Sequence, residues 1–194
     1  MTSTVPSANQ SPHSISTPSQ LLFDFSNAAL VGRWANIDDP VMGGRSRSTA
    51  GAEAGALVFS GTVSLENNGG FASIRGRTDA QVNDLSAFDA VRVRVRGDGK
   101  TYIFALESVS DPRLTYWQRF NTAPGEWIEA TLPFGNFEPQ WRGFTLRNAP
   151  ALDARGILNF GFYIADKQSG PFRLEVAQIT AVVARAENRP AVEP

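Results

Sequence analysis

Two acids, a proline and two glycines stand together in Asp38-Asp39-Pro40-Val41-Met42-Gly43-Gly44. The proline forces extended or turn geometry on Asp39, and the glycines permit positive φ or a close backbone approach. Such a loop either presents Asp38, Asp39 and Met42 to a partner, methionine being adaptable at binding surfaces, or closes tightly on itself. In the closed form its carboxylates accept hydrogen bonds from turn N–H groups. A second constellation is Val91-Arg92-Val93-Arg94-Val95-Arg96. A period of two puts the valines on one face of a strand and the arginines on the other, with neighbouring guanidinium groups about 6–7 Å apart. An exposed row of this kind binds carboxylates, phosphates or an acidic partner. Alternatively, cross-strand acids such as Glu107 and Glu129 simply pair with it. Neighbouring strands are expected to add Glu107, Gln118 or Arg119. The candidate partner-binding residues are therefore Asp38, Asp39, Met42, Gly43, Gly44, Arg92, Arg94, Arg96 and Gln118. Of the four tryptophans, Trp141 beside Arg142 is the candidate for stacking on a ligand, whereas Trp34 and Trp127 read as core.

Other chemistries have little to stand on. The chain of 194 residues has no cysteine and one histidine, His13, which excludes disulfides and thiolate metal sites. It also argues against a Ser-His-Asp triad or a histidine-ligated zinc in a folded domain. Asp38, Asp39, Glu66 and Asp98 show no spacing that predicts a carboxylate pair for glycoside hydrolysis, and no calcium-binding loop of alternating acids appears. No catalytic residue, metal or cofactor is expected. The net charge of −1 lacks the basic field of a typical nucleic-acid binder. Sixteen of the eighteen basic residues are arginine, Lys100 and Lys167 being the exceptions.

The elements that must position these residues read as strands. Residues 1–20 hold twelve Ser, Thr or Pro and no charged side chain; this predicts a flexible tail, and residues 185–194 read as a second. Residues 21–184 read as one domain. Strands are expected at Leu21–Phe25, Trp34–Asp38, Ala56–Phe59, Thr62–Leu65, Phe71–Arg75, Phe88–Arg96, Thr101–Glu107, Tyr116–Phe120, Trp127–Leu132, Leu158–Ile164 and Phe172–Val183. Turns are expected at Ser60-Gly61, at Asn67-Asn68-Gly69-Gly70 and at Gly97–Lys100. Short helical turns suit Phe134–Phe137 and Ala151–Gly156. Many short strands with turn signals between them predict an all-β sandwich or barrel. No apolar run is long enough for a secretory signal or a membrane-spanning helix, so the expected location is cytoplasmic.

Five blocks in order carry a family resemblance. They are Trp34-Ala-Asn-Ile-Asp-Asp-Pro-Val-Met-Gly-Gly-Arg-Ser46; Phe59-Ser-Gly61 with Leu65-Glu-Asn-Asn-Gly-Gly-Phe-Ala-Ser-Ile-Arg75; Val95-Arg-Gly-Asp-Gly-Lys-Thr-Tyr102; Trp127 with Leu132-Pro133-Phe134 and Phe137; and Ile164-Ala-Asp-Lys-Gln-Ser-Gly-Pro-Phe172 with Leu174-Glu175. Together they resemble the family of complex I intermediate-associated protein 30, the CIA30 domain, over nearly all of residues 21–183. The resemblance implies a jelly-roll β-sandwich of the galactose-binding-like type, with about ten strands and little helix. It also implies a non-catalytic assembly factor for a membrane-bound electron-transfer complex, respiratory or photosynthetic. The partner would be a protein subunit or assembly intermediate, and any membrane association would come through that client. Two rivals come with the fold and the relatives: a carbohydrate-binding module, and an RNA-binding factor in the biogenesis of a photosystem subunit. The first would line a concave face with exposed tryptophans. The second would show a continuous positive surface and bind with steep salt dependence.

Overall fold

A computed structural model describes residues 18–38 and 44–184. Asp39, Met42 and Gly43 of the candidate loop lie outside the described residues, as do residues 1–17 and 185–194. Thirteen strands are present among the described residues. They are β1 (Ser19–Asp24), β2 (Trp34–Asn36), β3 (Arg47–Glu53), β4 (Ala56–Val63), β5 (Ala72–Gly76), β6 (Ala90–Arg96), β7 (Thr101–Ser108), β8 (Thr115–Asn121), β9 (Trp127–Pro133), β10 (Glu138–Trp141), β11 (Phe144–Thr145), β12 (Ile157–Ile164) and β13 (Gly170–Val182). Two antiparallel sheets result. One has the order β3-β4-β13-β6-β9, with β1 also paired to β13; the other has the order β11-β10-β8-β7-β12-β5-β2. The sandwich expected from the sequence is the fold observed.

The core lies between the two inner faces. Val91, Val93 and Val95 are fully buried there, opposite a layer that includes Phe104, Phe160 and Phe162. Their arginine neighbours face out, as the alternation requires. Trp34 fills one end of the core, edge-on to Phe23 and Phe25 at 5.4 and 5.7 Å between ring centroids. Its indole lies flat over Gly76. A Cβ on that glycine would sit 2.3 Å from the ring, so only glycine admits the tryptophan.

Two turn expectations need correction, and the expected turn at Gly97–Lys100 is present but crosses between sheets. Ser60-Gly61 is not a turn, because β4 runs straight through it. Gly61 is there because β3 passes close: a Cβ would meet the Arg47 carbonyl oxygen at 2.1 Å. Asn67 does adopt the left-handed region, at φ +55°, but its segment joins β4 of one sheet to β5 of the other and closes no hairpin. Gly97–Lys100 likewise carries the chain from β6 across to β7 in the opposite sheet. The Asp98 carboxylate holds that crossing, accepting from the Tyr102 hydroxyl at 3.0 Å and the Arg173 N–H at 3.1 Å.

Candidate functional site

The arginine row sits on the outer face of the six-stranded sheet. Arg92 lies 3.8 Å from Glu129. Arg96 is paired with the buried Glu175 at 2.5 Å, and Arg173 bridges Glu175 to Glu53 at 3.0 Å each. Arg94 and Arg96 stack on Trp127, 5.6 and 5.1 Å from the ring centroid. Trp127 is therefore not core. It lies opposite Arg96 in the register of β9, faces the same way, and is 38% exposed. Glu107, Gln118 and Arg119 are not neighbours of the row, because the crossing at Gly97–Lys100 sends β7 and β8 into the other sheet. Gln118 alternates with the buried Tyr116 and Phe120, so it shares their inward face.

The Glu175 network has a pH consequence. Burial pushes the Glu175 carboxyl up, but the hydrogen bonds from Arg96 and Arg173 outweigh it and leave its pKa below the ordinary glutamate value. A depressed folded pKa means that the stability it contributes is present above the unfolded value of about 4.3 and lost as pH falls through the folded value. Urea titrations at pH 7, 5, 4 and 3 are expected to show stability falling below about pH 4.5. The Glu175→Gln chain should lose less over that interval than the native chain. Equal losses in both would remove Glu175 from the account.

Asp38 turns inward. It is only 8% exposed, and its carboxylate accepts from the Ser48 N–H at 2.7 Å, the Ser48 hydroxyl at 2.6 Å and the Ser73 N–H at 3.2 Å. Ser48 belongs to β3 and Ser73 to β5, so one carboxylate joins both sheets at their edge. Asp38 is thus a buried acceptor whose donors lie on two strands and not in its own turn. Gly44 begins the segment leading into β3 and is described without strand or helix structure.

The outer face of the seven-stranded sheet carries a different arrangement, a trough of about 570 Å³. Its floor is formed by Phe71, Trp117, Tyr163 and Ala165, which pack with the buried Ile103 and Ala105 as a second apolar cluster. Register explains the shape. Trp117, Ala105, Gly161 and Arg75 form one cross-strand row, and Arg119, Ile103, Tyr163 and Ser73 the next. The small residues Ala105 and Gly161 sit between Trp117 and Arg75 and line a smaller hollow beside the trough, together with Glu107 and Asn159. Trp117 and Tyr163 meet at 5.1 Å with their planes tilted by 45°.

Polar groups along the trough are held in place. Arg75 donates to the Tyr163 hydroxyl at 3.2 Å and pairs with Glu107 at 3.0 Å. Asn159 donates to the same Glu107 at 2.5 Å. Arg119 grips Asp166 with two hydrogen bonds, 2.7 and 3.0 Å, and these hold the Asp166 carboxyl below its ordinary pKa. Gln140, almost fully buried, donates to the Thr145 hydroxyl at 2.7 Å.

Two turns form the rim. The β10–β11 hairpin places Arg142 at φ +51° and Gly143 at φ +82°, with Phe144 beyond them 71% exposed. After β12, Asp166 and Lys167 are both left-handed, at φ +59° and +60°. A non-glycine residue there costs about 1 kcal/mol. Trp141, the stacking candidate, is 45% exposed, with Arg142 4.9 Å over its ring. It faces a separate hollow beside Leu114 and Pro150. The trough's own aromatic residues, Trp117 and Tyr163, were missed. The signal was present in β7, β8 and β12, whose alternation puts apolar or aromatic residues on both faces. A strand of that kind has a second face to cover.

A family model described as complex I intermediate-associated protein 30 (CIA30) matches residues 23–176. The chain belongs to the CIA30 family. Two mitochondrial proteins named complex I intermediate-associated protein 30 are similar to it. The one from Drosophila melanogaster is 26% identical over 179 residues, covering 80% of this chain and 60% of the relative. The one from Mus musculus is 25% identical over 180 residues, covering 81% of this chain and 54% of the relative. The CIA30 chain thus spans little more than half the length of these relatives. Among solved structures, a family 11 carbohydrate-binding module from Clostridium thermocellum, in complex with a mixed-linked β-1,3-1,4 tetrasaccharide, has a TM-score of 0.63. It is 16% identical and matches 86% of this chain and 96% of its own. That likeness shows the fold, a two-sheet β-sandwich like that of the module. No helix among the described residues is long and apolar enough to cross a membrane.

Proposed function

We propose that this CIA30 chain is a non-catalytic assembly factor that holds a protein subunit or intermediate of a membrane-bound electron-transfer complex. The family match over residues 23–176 carries the reading, and it takes in strands of both sheets, including those that build the trough. The mechanism is surface complementarity between a rigid sandwich and its client. The trough is a better grip than the arginine face. It combines an apolar floor with fixed polar groups, as binding clefts do, whereas the arginines are largely occupied by Glu129, Glu175 and Trp127. Association with the membrane follows from the client.

Deletion of the gene in its native host tests this reading. One membrane complex is expected to lose assembled abundance on native gels, with a smaller subassembly accumulating and the re-expressed chain restoring it. Unchanged levels of every electron-transfer complex would refute the reading. A second reading, saccharide binding, is favoured by one observation. The partly exposed Trp117, packed on the buried Tyr163, offers one aromatic face of the kind on which sugar rings stack.

A further inference from the structure

The trough runs across the strands. It extends from Phe144 in β11 to Ser73 and Arg75 in β5, which is five strand spacings in the sheet order and about 24 Å at ~4.8 Å each. An extended polypeptide of about seven residues has that length. Such a peptide points alternate side chains to opposite sides, so one set meets the apolar floor and the other the rim.

The rim is basic. Arg75 and Arg119 are engaged by Glu107 and Asp166. Arg142 and Lys167 have no carboxylate partner among the described residues. Arg142 stacks on Trp141, and both hold backbone conformations that their side chains disfavour. Two cations with no carboxylate partner among the described residues, Lys167 and the Trp141-stacked Arg142, stand on strained turns beside an apolar trough and complement a ligand that is acidic at its edges and apolar at its centre. Resting on the assembly-factor reading, we propose that the trough is the client-recognition site and takes an extended segment of the client polypeptide in which acidic residues alternate with aromatic or aliphatic ones.

The test uses the full chain and a fluorescein-labelled heptapeptide, Glu-Phe-Glu-Phe-Glu-Phe-Glu, followed by fluorescence polarisation. Saturable binding is expected, severalfold weaker when salt rises from 50 to 200 mM. It should weaken roughly tenfold in Arg142→Glu/Lys167→Glu and by a similar factor in Trp117→Ala. Arg92→Glu/Arg94→Glu on the opposite face should bind as the native chain does. The pair Arg142→Gly/Lys167→Gly separates recognition from structure: removing strain at positive φ raises the melting temperature, while loss of the cations weakens binding. Equal binding of the lysine counterpart of the peptide would overturn the assignment, as would loss of binding in Arg92→Glu/Arg94→Glu alone. So would saturation by a mixed-linked β-glucan tetrasaccharide with no binding of the acidic peptide. Should the peptide fail while gene deletion still impairs a membrane complex, the trough assignment falls and the assembly reading stands. Should the peptide bind with every complex intact in the deletion, the reverse holds.

Discussion

Replacing Trp34 with alanine is expected to cost about 4 kcal/mol of stability, within the range for emptying a large aromatic from a core. In a chain of this size that lowers the melting temperature by roughly 8–16 °C. The indole packs against Phe23, Phe25 and Phe162 at centroid distances of 5.4 to 5.7 Å, and it covers Gly76 on β5. Its loss therefore opens the core where β1, β2 and β5 converge. Gly76→Ala offers an independent check. Its added methyl would sit 2.3 to 2.6 Å from three indole atoms, so this single change should cost about 1–3 kcal/mol as an overpacking defect. In the double variant the methyl has room, and the two losses should sum to less than their separate values. Strict additivity in urea denaturation would show that Gly76 is glycine for some other reason.

Asp38→Ala is expected to cost about 3 kcal/mol, or roughly 6–12 °C in melting temperature. The carboxylate is the shared acceptor for two main-chain N–H groups and one hydroxyl. Without it, the donors of Ser48 and Ser73 are left buried and unpaired, which costs the full desolvation of each. Asp38→Asn keeps the shape but replaces one acceptor with a donor, so it should recover only part of the loss. If Asp38→Ala melts with the native chain and instead loses a client, Asp38 is a contact residue and the clamp is unimportant.

How much of this was legible in the sequence depends on which physical signal each residue carries. The Val/Arg alternation in β6 fixed both faces correctly, because period two is a local property of a strand. The CIA30 blocks identified the family and with it the sandwich. β3 escaped notice because Arg47–Glu53 is nearly devoid of large apolar residues, and its pairing with β4 is made by backbone. β10 and β11 were too short to show a period. Gly61 reads as a turn signal, since a glycine that admits a passing strand has the same letter as one that turns the chain, and the turn at Gly97–Lys100 does not itself show whether it closes a hairpin or crosses to the other sheet. That ambiguity had consequences for the site. Placing Glu107, Gln118 and Arg119 beside the arginine row required knowing whether Gly97–Lys100 closes a hairpin or changes sheet, and this is decided by tertiary packing. The trough was hidden for the same reason. Trp117, Tyr163 and Arg75 become neighbours through sheet order, which brings β5, β12, β7 and β8 side by side.

The most direct test of the central claim, that this CIA30 chain works by gripping a protein client through the trough, is affinity capture from its native host in mild detergent. Mass spectrometry would compare the native chain, Trp117→Ala and Arg92→Glu/Arg94→Glu. The native chain and the arginine variant should bring down the same subunits of one membrane-bound electron-transfer complex, and Trp117→Ala should lose them while melting as a folded protein. Retention of those subunits by Trp117→Ala with loss in the arginine variant would contradict the account, as would recovery of RNA or glycan with no protein client.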